Sequence, residues 1–151
     1  MEPFIIGPYR LAVGASTTRA FYDAHPLPWV TCGCSGCRNF VKAIKTLPPA
    51  VTEFFASLGL DPEKPAETMY YTGTADSISG GGWYHLCGES LDDAPWQAGS
   101  LFGEAVDITP DFSISFQKEC WLLPEDFPRP CIQMEVEFLL PWLLEEPNDW
   151  I

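Results

Sequence analysis

Cys32, Cys34 and Cys37 fall within six residues, in the stretch TCGCSGCRNF at positions 31–40. Thiolate sulfur binds zinc at about 2.3 Å in a tetrahedral shell, so three sulfurs on one short loop fill most of that shell. The usual zinc arrangement pairs two C-x-x-C elements. Here Cys34 and Cys37 form one, Cys32 adds a third sulfur, and no second element follows. A fourth ligand has to come from His25, His85 or Cys87, and strand alternation puts His85 and Cys87 on one face. The candidate metal set is Cys32, Cys34, Cys37 and His85, which as the alternative reading would hold one structural zinc. The main expectation is that no cofactor is bound and the thiols are ordinary reduced side chains, since cysteine is often a small buried residue. Cys37 lies on the apolar side of the helix that follows, and Cys120 and Cys131 read the same way.

Thiol catalysis needs a base and a depressed thiol pKa. Cys34 and Cys37 stand near a helix N-terminus, but His25 and His85 are the only imidazoles and no nucleophile signature accompanies them. The glycines at 80–82 precede a strand and lack a following G-K-[ST], so they are no phosphate loop. Asp92-Asp93 and Glu125-Asp126 lack EF-hand spacing. Glu135 and Glu137 could pair for glycoside chemistry, but both sit on a face read as solvated. The expectation is a protein that is not an enzyme.

Charge either serves solubility or marks an acidic docking face or a mimic of nucleic acid. Net charge is −13. Residues 1–64 carry five acidic and six basic side chains, whereas residues 65–151 carry sixteen acidic and two basic ones, Lys118 and Arg129. Such a field repels nucleic acid and anionic lipid and suits a basic protein. Glu135 and Glu137 on one strand, with Trp142 close behind, form the expected contact surface, since aromatic anchors are enriched at interface hot spots.

The elements that position these residues follow from periodicity. FIIGPYRLAVG reads as a strand broken at Gly7-Pro8, with Thr17 to Tyr22 pairing back onto it. From Ser35, the expected N-cap, Cys37, Phe40, Val41, Ile44 and Leu47 recur at helical spacing, with Arg38, Lys42 and Lys45 opposite. Pro48-Pro49 ends that helix and opens a second carrying Val51, Phe54, Phe55 and Leu58. Strands follow at Met69 to Thr72, Trp83 to Glu89, 103–108, Phe112 to Phe116 and Ile132 to Leu140. The last two alternate cleanly, which means one buried face and one wet face. The fold class is α+β: a single antiparallel β-sheet packed against a two-helix hairpin, in one domain over 1–151. The acidic C-terminal segment is expected to dock loosely.

MEPFIIGPYRLAVG lacks the basic start and apolar run of a signal peptide, and no stretch approaches the roughly 18 apolar residues of a membrane span. The expected location is cytoplasmic. The motif CxCxxCRNF, with LGLDPEKPAE, GGWYHLCGE and LLPEDFPRP…LPWLLEEP, resembles an uncharacterised set of small acidic bacterial proteins over most of the chain. That resemblance implies a bacterial, cytosolic protein and supplies no catalytic residues. The functional expectation is an acidic protein-interaction module of immunity or defence-inhibitor type. The alternative is a small-molecule or zinc-binding protein using the cysteine loop and the His85 strand.

Overall fold

The computed structural model describes residues 1–92 and 104–151. Its elements are β1 (Glu2–Ile6), β2 (Tyr9–Val13), α1 (Ala15–Ala24), α2 (Ser35–Ala43), α3 (Pro49–Ser57), β3 (Glu67–Gly73), β4 (Ser77–Ser90), β5 (Val106–Thr109), β6 (Phe112–Gln117) and β7 (Cys131–Pro141), with a 3-10 turn at Ile44–Thr46. The fold is α+β. Seven strands form one sheet in the order β1-β2-β4-β7-β6-β5, with β3 also pairing to β4. Every pairing is antiparallel. Among the described residues no helix is long and apolar enough to cross a membrane.

Alternation in β6 and β7 produces the core. Phe112, Ile114 and Phe116 lie opposite Phe138, Val136 and Met134, and all six are buried. Tyr84 and Leu86 of β4 extend the layer beside Met134 and Ile132. Phe40 of α2 packs on Phe138 at 5.8 Å. Phe55 of α3 meets Tyr84 at 5.0 Å and Phe112 at 5.8 Å, both edge-on, the arrangement that ring quadrupoles favour. Val41, expected in this core, is 44% exposed. The buried stripe of α2 runs through Cys37, Phe40 and Ala43, and Val41 stands about 100° round the helix from Phe40.

Three local expectations are corrected. The strand expected to be broken at Gly7-Pro8 is two strands, β1 and β2, paired across that turn, with Gly7 at φ +51°. Thr17 to Tyr22 is not a strand but part of α1. The glycine run 80–82 lies inside β4 rather than before it, between β3 and β7. A Cβ on Gly82 would stand 2.3 Å from the Glu67 carbonyl oxygen, so the close approach of β3 excludes any larger residue. Of the residues expected in the next strand and loop, Asp93 and position 103 lie outside the described residues.

The reason for α1 lies at the edge of β4. β3 pairs along this edge up to Trp83 and β2 pairs from Gly88 onward, leaving the backbone groups of His85 and Cys87 without a strand partner. Buried backbone groups must be satisfied. α1 fills the gap: Tyr22 OH donates to the His85 carbonyl at 2.7 Å and lies 3.2 Å from its N–H. Thr18 Oγ1 accepts from Cys87 N–H at 2.9 Å, and Gly14 N–H donates to the Cys87 carbonyl at 2.9 Å.

The second sheet face is covered in part rather than wet throughout. Trp83, His85, Gln133 and Glu135 on this face are all at most 9% exposed. Residues 118–130 cross it, placing Trp121 against Trp83 at 6.2 Å and Phe127 against His85 at 6.0 Å. The C-terminal segment also docks firmly. Trp150 lies 5.5 Å from Tyr70, and Asn148 Nδ2 donates to the carbonyls of Thr74 at 2.9 Å and Ser77 at 3.0 Å.

Candidate functional site

Cys32, Cys34 and Cys37 meet at the N-terminus of α2, their three sulfurs within 4.8 Å of one another. Three thiolates about one tetrahedral zinc stand roughly 3.8 Å apart, so ligation asks only a small contraction of the loop. Cys34, not the expected Ser35, is the N-cap: its sulfur accepts the Cys37 N–H at 3.4 Å. The cap draws the first and last sulfurs of the C-x-x-C element together. Cys37 is buried against β3, where Tyr70 OH approaches its sulfur at 3.4 Å and Thr68 Oγ1 at 3.8 Å. Gly36 makes that approach possible, because a Cβ there would stand 2.5 Å from the Tyr70 ring.

The thiols differ in electrostatics. Burial pushes the Cys37 thiol up to about 11, with the Tyr70 hydroxyl opposing that rise. Exposed Cys32 is shifted downward by a hydrogen bond from the Cys34 backbone and by the neighbouring thiols. The N-terminal dipole of α2 favours negative charge at the same place. A cleft of about 320 Å³ opens beside the sulfurs, lined by Cys32, Cys37, Trp29, Thr31, Glu67 and Thr68.

The structure does not bring His85 to this cluster. Thr68 and Tyr70 lie opposite Gly82 and Gly80, on the core face of the sheet, whereas His85 alternates onto the other face. Its Nε2 lies 2.9 Å from Gln133 Oε1. Cys87 shares that face, and His25 is held by the Phe21 carbonyl at 2.7 Å and by Asp126 at 2.8 Å. Among the described residues the group is three sulfurs without a fourth protein ligand. Cys120 and Cys131 are half-buried rather than buried and stand 3.7 Å apart, sulfur to sulfur.

The C-terminal segment clamps the loop from outside. Arg38 pairs with both carboxylate oxygens of Glu146 and donates through Nε to the Gly33 carbonyl at 3.1 Å. Ser35 Oγ donates to Asp149 at 2.5 Å and accepts from the Trp150 indole at 3.0 Å. Arg38, expected opposite the apolar stripe of its helix, finds its partner Glu146 in the acidic half.

The expected contact surface comes apart. Glu135 is buried, at 9% exposure, whereas Glu137 is exposed. Gln133 and Gln117 both donate to Glu135 Oε1, the former at 2.6 Å. Burial raises the Glu135 pKa and these two amides oppose the rise. Trp142 is half-buried and donates to the Glu146 carbonyl at 2.8 Å. Gln117 and Gln133 were missed because polar residues alternating along a strand look solvent-facing until something covers them. No family model, curated protein or solved structure matches this chain.

Proposed function

We propose that this is a zinc-binding protein in which Cys32, Cys34 and Cys37 hold the ion and the fourth position opens toward the Trp29–Glu67 cleft. The single observation that carries this reading is the convergence of three sulfurs within 4.8 Å at a helix N-terminus. Soft thiolates select zinc or cuprous copper over hard cations. Three protein ligands plus an exchangeable water is the pattern of zinc sites that keep a working position. Elemental analysis of protein purified without added metal should find about one zinc per chain, and a chelator should lower the melting temperature. Cys34→Ser should weaken zinc binding by at least about tenfold. Protein that stays metal-free on zinc addition, with identical melting in chelator, would sink the reading.

A second reading keeps the acidic half as a docking surface for a basic protein. It is supported by sixteen acidic against two basic side chains over residues 65–151. Glu137 remains available to it and Glu135 does not. Charge-steered capture has to weaken as salt shortens the Debye length below about 8 Å.

A further inference from the structure

The sheet face opposite the helices holds a cleft of about 340 Å³, bordered by Met69, Tyr71, Trp83, Trp121, Glu135 and Glu137. That volume falls in the range of about 300–1,000 Å³ typical of small-molecule sites. Its walls are built from the sheet outward. Trp83 is 8% exposed, and its indole N–H donates to the Trp121 carbonyl at 3.0 Å, which fixes the two rings edge to face. Tyr71 stands on the neighbouring strand with its hydroxyl donating to Glu137 Oε1 at 3.2 Å.

The charge arrangement is what a solvated strand face does not need. A buried carboxylate costs free energy unless it is hydrogen-bonded or paired with a cation. Around Glu135 every assigned donor points toward the acid. Trp121 N–H lies 2.7 Å and His85 Nε2 lies 2.9 Å from Gln133 Oε1, and the Gln133 amide in turn donates to Glu135 Oε1 at 2.6 Å. The Gln117 amide donates to the same oxygen. Glu137 adds a second carboxylate from the same face of β7. None of the described residues lining the cleft is basic.

We propose that this cleft binds a small organic ammonium cation with an aromatic or apolar substituent. Glu135 and Glu137 take its charge, and Trp83, Trp121 and Tyr71 take its body. Aromatic faces attract cations, most strongly when desolvated, and ionised acceptors make the stronger hydrogen bonds. A hard metal ion is disfavoured, because it asks for about six or more oxygen ligands and these walls are largely aromatic. The inference uses none of the thiols and stands apart from the zinc reading.

Calorimetric titration with phenethylammonium, and with 2-phenylethanol as its neutral counterpart, tests it. The ammonium should bind and the alcohol should bind at least about tenfold more weakly, a difference of about 1.4 kcal/mol. Glu135→Gln should weaken the ammonium by about tenfold and leave the alcohol unchanged. Glu137→Gln and Trp121→Ala alter exposed positions, so they keep the fold and should each weaken it several-fold. Equal affinity for the two probes overturns the proposal, as does wild-type affinity in Glu137→Gln and Trp121→Ala. So does the absence of binding at millimolar ammonium, or tighter binding of a neutral disaccharide.

Discussion

Glu135 and Glu137 are the same side chain two positions apart on the same face of β7, yet one is buried under residues 118–130 and the other is in solvent. Strand alternation makes their shared face legible and says nothing about what lies over it. His85 illustrates the same limit. Its strand position was readable, but its partner Gln133 is 48 residues away, and that pairing denies it to the thiols. Burial lowers the His85 pKa, against a smaller upward push from Gln133. A histidine depressed in the folded state contributes stability that is full above its unfolded value near 6.5 and is lost as pH falls through the folded value. Urea unfolding of wild type and His85→Gln between pH 7.5 and 5 should therefore diverge. Relative to the variant, wild type should lose stability below about pH 6.5. His25 is shifted upward and is common to both proteins, so it cancels in the comparison. A stability difference independent of pH would show that His85 does not titrate differently on folding.

At the scale of elements, periodicity served where an element packs by one repeating stripe. The alternation of Phe112–Phe116 and Ile132–Leu140, and the helical spacing of Cys37, Phe40 and Ile44, all name residues that are buried. Phe116→Ala should accordingly cost on the order of 3–5 kcal/mol, measured by urea denaturation. A loss under about 1 kcal/mol would mean that the core can collapse around the missing ring. Periodicity failed for α1, because A-S-T-T-R-A-F-Y-D-A mixes β-branched and aromatic residues that prefer strands. Tertiary need overrides that preference: Thr18 and Tyr22, one helical turn apart, meet the backbone groups of Cys87 and His85. Tyr22→Phe removes only the hydroxyl and leaves the His85 carbonyl without its donor. The expected loss is about 1–3 kcal/mol, the cost of an unsatisfied buried group. Phe at that position with wild-type stability would show that the β4 edge finds another partner.

Over the whole molecule, the two ends of the charge pattern meet at the thiol loop. The nearly neutral first half supplies the sulfurs, Ser35 and Arg38, and the acidic second half supplies Glu146, Asp149 and the Trp150 indole that bond to Arg38 and Ser35. The triad itself was legible as three cysteines on one loop. The clamp was not, because its partners are more than 100 residues apart in sequence. The clamp orders the loop, so removing it should loosen the loop before it unfolds the sheet. A chain ending at Glu145 loses the Arg38 pair, both Ser35 bonds and the Trp150 ring on Tyr70. Metal-free Cys37 is buried against Tyr70, on which Trp150 packs, and should react with a thiol reagent far more slowly than exposed Cys32. Truncation should speed Cys37 modification by about tenfold, corresponding to about 1.4 kcal/mol less protection against local opening. Cys32 should change little. Trp150→Ala, a milder lesion, should shift Cys37 in the same direction with the far-UV circular dichroism of wild type. Unchanged Cys37 reactivity in both variants would mean that the loop holds its own geometry and the C-terminal segment is only a cover.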